Sequence, residues 1–355
     1  MSLNKLSAGL LAGVMAAALF PAMASAQTAY KAPRASDGKA DLQGNWSNAY
    51  ITPLERQAKF GDRKVHTAKE AAEIEGDAVE RFAEGDKPTD PNQGAEDHTT
   101  KNCQGAGGLD CGYNSGWKDS GTQLTRVNGE PRTSFITSTP NGRIPPVIPG
   151  SRAASAGRRG PAAASNEGRE DGPAGPASMN DNPETRSIGE RCLMSFGNSA
   201  GPIMLPLMYN NTYQIVQTKD SVAILVEMVH DTRVVQLNAK HRTDGVRPWM
   251  GDSIGWWEGD TLVVETTNYH PSQTLRGSSE NLKVTEKFSR VGKDRLLYQF
   301  KAEDPTVWAE PWGGEYEFAA YPDRIEEYAC REGEKSVEHM LDAARAAERE
   351  AAAGR

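Results

Sequence analysis

Basic charge is not in excess in this chain: 48 aspartates and glutamates stand against 40 lysines and arginines, a formal net charge of -8 over 355 residues. Affinity for phosphate backbones depends on clustered lysine and arginine, so nucleic acid is excluded as a partner class. Three catalytic signatures are missing as well. There is no H-E-x-x-H helix, no Walker loop and no Rossmann fingerprint, and no G-x-S-x-G nucleophile elbow is expected, which leaves covalent serine-hydrolase, zinc-peptidase and nucleotide chemistry without support. The four cysteines form no C-x-x-C, and only His98 lies near any of them at ligand spacing, so no metal site is expected. No internal repeat is visible, and no cofactor is implied.

What is present begins with an export signal. Lys5 gives a positive start, Ala8 to Phe20 is uncharged and mostly apolar, Pro21 breaks the run, and Ala24-Ser25-Ala26 has the small-x-small form of a cleavage site. The apolar run falls short of the roughly 20 residues that cross a bilayer. No cysteine follows it as a lipid-attachment point. Residues 1–26 therefore read as a cleavable signal peptide, and the expected product is a periplasmic or secreted protein without a membrane anchor, starting near Gln27. In an oxidising compartment an even cysteine count implies disulfides. Of three possible connectivities, Cys103–Cys111 with Cys192–Cys330 is preferred, the first closing a short Gly-rich loop and the second tying the main domain together.

Six regions follow from composition. After the signal, residues 27–40 are polar and expected to be disordered. Residues 41–150 hold a short strand at "DLQGNWSNAYITPLER", a helix over 68–82 behind the Thr67/Glu70 capping box, and a loop-rich remainder. Residues 151–187 are Ala, Gly, Pro, Ser and Arg with almost no large apolar side chain, a flexible segment that cannot build a core. Residues 188–335 carry short strands at even spacing: 212–218, 222–230, 233–237, 253–258, 261–268, 282–291, 295–302, 315–320 and 324–330, with "EGDT" and "GKDR" as hairpin turns. Residues 336–355 form a C-terminal helix with Val337, Met340 and Leu341 as its narrow apolar stripe. The expected fold is mainly β, an antiparallel barrel or a β-sandwich, with one inserted helix, long irregular insertions and that terminal helix.

The stretch "YNNTYQIVQTKDSVAILVEMVHDTRVVQL", followed by "GDSIGWWEGDTLVVETTNY" and "EDPTVWAEPW", resembles a large family of exported, mostly uncharacterised bacterial proteins, over 188–345 and the segment at Asp41. The core of the likeness is GDSxGxWEGDTLVVxTTN. Gly44-Asn45-Trp46 ahead of a strand meander is also similar to the G-x-W of lipocalin-like barrels, where the tryptophan closes the barrel base. That likeness implies that the strand at Asp41 joins the same barrel as residues 200–330.

Chemistry-bearing residues are few. On the segment 222–230, Val222, Ile224, Val226, Met228 and His230 share one face, with Arg233 opening the next strand, so His230 and Arg233 could meet at a barrel mouth. Glu286 lies among Leu282, Val284 and Phe288 on one strand face. A carboxylate there must pair, protonate or face water. It is either an acid/base or the partner of Arg276, Arg295 or another core cation. Glu265, between Val263 and Thr267, poses the same question. Five of the seven tryptophans fall between Trp249 and Trp312, of which Trp249, Trp256, Trp308 and Trp312, with Arg276, are the candidate ligand-binding residues. Three functions compete. A carrier of a small apolar or aromatic molecule needs an apolar cavity. A cofactor-independent isomerase, lyase or hydrolase acting on such a molecule needs His230, Arg233, Glu265 or Glu286 to converge. A structural envelope protein needs no cavity.

Overall fold

The computed structural model describes residues 30–85, 120–151, 181–186, 188–194, 201–207, 210–271, 273, 275–330 and 335–354. In chain order, β1 (Gly44–Ser47) is followed by a small hairpin, β2 (Arg126–Val127) and β3 (Glu130–Pro131). Then come β4 (Thr212–Gln217), β5 (Ser221–Val226), β6 (Thr232–Leu237), β7 (Asp252–Glu258), β8 (Thr261–Thr267), β9 (Lys283–Gly292), β10 (Arg295–Glu303) and β11 (Trp312–Ala320). Apart from β2 and β3, these strands close into a barrel in the ring order β1, β11, β10, β9, β8, β7, β6, β5, β4. Period-two alternation decides what fills it. Ile215, Ile224, Val235, Leu262, Val264, Val284, Phe288, Leu296, Phe300 and Phe318 are all buried on the inner face, while their chain neighbours point outward.

Closure depends on the shortest strand. Trp46 of β1 sits opposite Tyr213 of β4 on one side and Ala320 of β11 on the other, so the segment at Asp41 completes the barrel, and the helix and long insertions fall between β1 and β4. Trp46 stops this end of the lumen: its Nε1 donates to the Leu42 carbonyl at 3.0 Å, and the Arg290 guanidinium lies 5.4 Å from its ring centroid. The tight turns at 218–220, 259–260 and 293–294 are at the Trp46 end. The long connections, 48–211, 227–231, 268–282 and 304–311, all leave from the opposite end.

Four expectations are corrected. The barrel is not wholly antiparallel, because β6 and β7 run parallel through Gln236–Ile254 and Leu237–Gly255. A parallel neighbour needs a crossover, supplied by 238–251. At that seam a Cβ on Gly255 would stand 2.7 Å from Val235 Cγ1. Residues 324–330 form no strand, since the edge of β11 away from β10 is taken by β1 at Ala319 and Ala320 and by residues 135–137 at Gly313–Glu315. The strand expected over 222–230 ends at Val226. Glu227 turns helical, Met228–His230 form a 3-10 turn with Val229 at φ +66°, and the Val226 amide donates to the Asp231 carbonyl to start the return strand. Finally, the placed part of 27–40 lies against the barrel: Ala32 and Ala40 are buried, Asp37 accepts from Gln217, and Arg34 pairs with Asp260.

Helix α1 (Ala68–Gly85) has the expected capping box, with the Glu70 amide donating to Thr67 Oγ1 at 3.2 Å and the Thr67 amide donating to the Glu70 carboxylate at 2.8 Å. Helix α2 (Ser336–Ala352) keeps its stripe only half-buried, and Met340 meets Arg186. The Cys192–Cys330 disulfide is formed, with Cα atoms 5.8 Å apart. Cys103 and Cys111, and most of 151–187, lie outside the described residues.

The segment 134–138 is laid against β11. Ile136 bridges Gly314, the Glu315 amide donates to the Phe135 carbonyl, and the Thr137 amide donates to Gly313. A Cβ on Gly314 would stand 1.9 Å from the Phe135 carbonyl oxygen, which neither backbone can yield cheaply. Gly314→Ala is therefore expected to lower the unfolding free energy by about 1–3 kcal/mol. Urea denaturation followed by tryptophan fluorescence measures it, and an unchanged midpoint would show that the segment is not held against β11.

Candidate functional site

Two charges occupy the middle of the lumen. Arg233 is the first inward-facing residue of β6, Glu286 the inward residue of β9 between Val284 and Phe288, and they are 3 % and 0 % exposed. The guanidinium grips the carboxylate with both terminal nitrogens, Nη1 to Oε2 and Nη2 to Oε1, the latter at 3.2 Å. Tyr298 of β10 donates its hydroxyl to Glu286 Oε1 at 2.8 Å. Burial opposes the charge of Arg233, but the adjacent Glu286 outweighs it and keeps the guanidinium protonated.

A second phenol stands beside the first. Tyr316 of β11 is the direct cross-strand partner of Tyr298, with ring centroids 5.3 Å apart. Asn48, just past β1, donates through Nδ2 to Tyr316 Oη at 3.1 Å. Both hydroxyls meet one residue from outside the barrel strands, Met204: its amide donates to Tyr298 Oη at 3.1 Å, and its carbonyl accepts from Tyr316. Met204 Sδ also lies 3.5 Å from Arg233 Nη2. Burial pushes the Tyr269, Tyr298 and Tyr316 phenols well above their ordinary range, with the Glu286 charge adding to the rise. All three are neutral at physiological pH. Among the described residues, the buried indole Nε1 of Trp312, at the start of β11, has no acceptor, and nor does that of Trp257.

The sequence candidates separate. Arg233 and Glu286 are brought together, and the cation that pairs Glu286 is Arg233. Arg295 instead pairs with Glu317 at 3.1 Å, and Arg276 is exposed on the 268–282 connection. His230 lies in the turn after β5, and its side chain is outside the described part. Glu265 faces outward, so it does not share the lumen with Glu286. It accepts from His241 Nε2 at 3.2 Å and lies 3.5 Å from Lys283, while His241 Nδ1 meets Asp252 at 2.9 Å. Trp256 is also outward, bonded to Glu258, because β7 turns Ser253, Gly255 and Trp257 inward. Trp308 and Trp312 are buried edge to face at 5.4 Å, and Trp249 lies over His270 at 3.9 Å, near the end with the long connections.

Met204, Tyr298, Tyr316 and Asn48 were missed. Tyr298 and Tyr316 do sit on the inner face of alternating strands, which marks them for the lumen. The place of Met204 has no such signal, since "GPIMLP" has no period. Gly197-Asn198-Ser199-Ala200-Gly201 matches G-x-S-x-G, but a nucleophile elbow needs a helix after its serine. Residues 201–207 contain none, and 195–200 lie outside the described residues. A separate cleft of about 470 Å³ opens on the outer surface, between Gln214, Leu225 and Glu227 of the β4–β5 side and Arg324, Glu326 and Glu327. The chain matches no protein-family model, and no curated protein matches it. No helix among the described residues is long and apolar enough to cross a membrane.

Glu286 is engaged by a cation and a phenol. The buried phenols set an alkaline limit on stability. A tyrosine whose folded pKa is raised contributes stability that is complete below the unfolded value of about 10 and is lost as pH rises above it. Stability is thus expected to fall above about pH 10. Tyrosinate absorbance should rise in step with loss of tryptophan fluorescence for the buried phenols. Full ionisation of every tyrosine while the barrel stays folded would contradict their burial.

Proposed function

We propose that this chain is an exported binding protein whose barrel takes a small, largely apolar or aromatic molecule at the polar centre formed by Arg233, Glu286, Tyr298 and Tyr316. It would then be one of the exported bacterial proteins it resembles, acting as a carrier rather than a catalyst. The observation that carries the reading is the wholly buried Arg233–Glu286 pair. Removing two charges from water costs several kcal/mol per ion, and well-packed apolar side chains of similar volume commonly serve the fold as well or better. A ligand site accounts for a pair retained at that cost inside aromatic walls. Unpaired indole donors on the inner face add to it, because a buried tryptophan N–H ordinarily finds an acceptor. The Cys192–Cys330 disulfide is consistent with export.

The test is native mass spectrometry of the protein recovered from its own cell envelope, run beside the R233M/E286L double variant. The wild type is expected to have the mass of a chain beginning at Gln27 and to carry a small apolar molecule. The double variant should unfold at the same or higher urea concentration and carry none. An empty wild type, or equal loading of both proteins, would overturn the reading. A variant much less stable than wild type would assign the pair to the fold instead.

A further inference from the structure

The hydrogen-bond polarity inside the lumen identifies what it recognises. Glu286 accepts from both Arg233 terminal nitrogens and from Tyr298, so the single proton of the Tyr298 hydroxyl is directed to it, and the outward lone pair of Tyr298 Oη is left as an acceptor. Asn48 donates to Tyr316, occupying a lone pair there and turning the Tyr316 proton outward as a donor. Two directly opposed residues on adjacent strands therefore present one acceptor and one donor, side by side, between aromatic rings. That is the complement of the N–H and C=O of a single residue in an extended peptide, the same exchange that joins opposed residues of antiparallel strands.

The protein fills this complement with its own chain. Met204 supplies the N–H to Tyr298 and the C=O to Tyr316, with Ile203, Met204 and Leu205 all buried. Yet among the described residues no main-chain to main-chain hydrogen bond ties 201–207 to any strand, and its polar contacts with them run to the side chains of Tyr298, Tyr316, Arg233 and Asn211. A segment held in this way has few of the bonds that give barrel strands their protection.

We infer that the Tyr298–Tyr316 site recognises an amide-flanked unit, a short peptide or N-acyl amino-acid amide with an apolar side chain, and that residues 203–205 are its internal occupant, displaced when such a ligand binds. The inference rests on the lumen-binding reading and sharpens its ligand class. Displacement exchanges one amino-acid unit for another on the same two hydroxyls, leaving no buried polar group unpaired at either end of the exchange.

Native-state hydrogen exchange of the full chain, read at the Met204 amide and at the β9–β10 amides, tests it. The probe is N-acetyl-L-methionine methylamide, compared with its analogue carrying an ester oxygen in place of the methionine N–H. Without probe, the Met204 amide is expected to exchange at least about tenfold faster than the β9–β10 amides. The amide probe should accelerate Met204 exchange and leave β9–β10 unchanged, and the ester should need about tenfold more for the same effect. Met204 exchange at the β9–β10 rate, with or without probe, would make 203–205 permanent core and overturn the inference, while ligand binding elsewhere in the lumen could stand. Equal potency of amide and ester would overturn the amide specificity alone. Local opening at Met204 that neither probe enhances would overturn this inference, while the lumen-binding reading would still be decided by the mass spectrometry above.

Discussion

Arg233 and Glu286 meet across a space that the rest of the barrel fills with aliphatic and aromatic side chains, and most of the polar arrangement in the lumen depends on that contact. The Arg233 guanidinium holds the fully buried carboxylate through both terminal nitrogens. That carboxylate accepts from Tyr298, the orientation of Tyr298 determines what can bond to it, and Met204 is seated accordingly. Asn48 does the same for Tyr316 from the other side. The outcome is a barrel interior lined by apolar side chains, with directional hydrogen bonds at its centre.

The two ends of the barrel are built differently. At the Trp46 end, short turns, the Trp46–Leu42 bond and the Arg290 contact seal the lumen. At the far end, the long connections carry Trp249, Trp308, the strained Val229 turn and the insertion that contains Met204. Non-glycine residues at positive φ, such as Val229 and Arg276, cluster on these connections. A β-branched residue in that region costs on the order of 1–3 kcal/mol and persists only where surrounding structure imposes it.

Much of the fold was legible because alternation is a local property. Leu262, Val264 and Thr266 declare an inner face within a single strand, and the capping box at Thr67 and Glu70 declares the start of a helix. The C-terminal helix over 336–352 followed from composition and its apolar stripe. Pairing is not local, and the errors lie there. Nothing in "VRPWMGDSIGWW" announces that β7 will run parallel to β6, and nothing in "RIEEYAC" reveals that the edge it could have joined is taken by β1. For the site, Glu286 and Arg233 were each identifiable as ionisable residues at unusual positions. Their partnership was not, because it spans the lumen between strands that are not neighbours. The main-chain donor and acceptor of Met204 were invisible for a deeper reason: every residue has them, and only a tertiary contact makes one pair special.

Glu286, as acceptor from Arg233 and Tyr298, sets the direction of the hydrogen bonds around it. Neutron diffraction from deuterated crystals measures this directly by locating the deuterons on the two phenols. The account predicts an unprotonated Glu286, the Tyr298 deuteron directed to its Oε1, and the Tyr316 deuteron directed to the Met204 carbonyl. A deuteron on Glu286, or a Tyr298 deuteron pointing toward Met204, would contradict it.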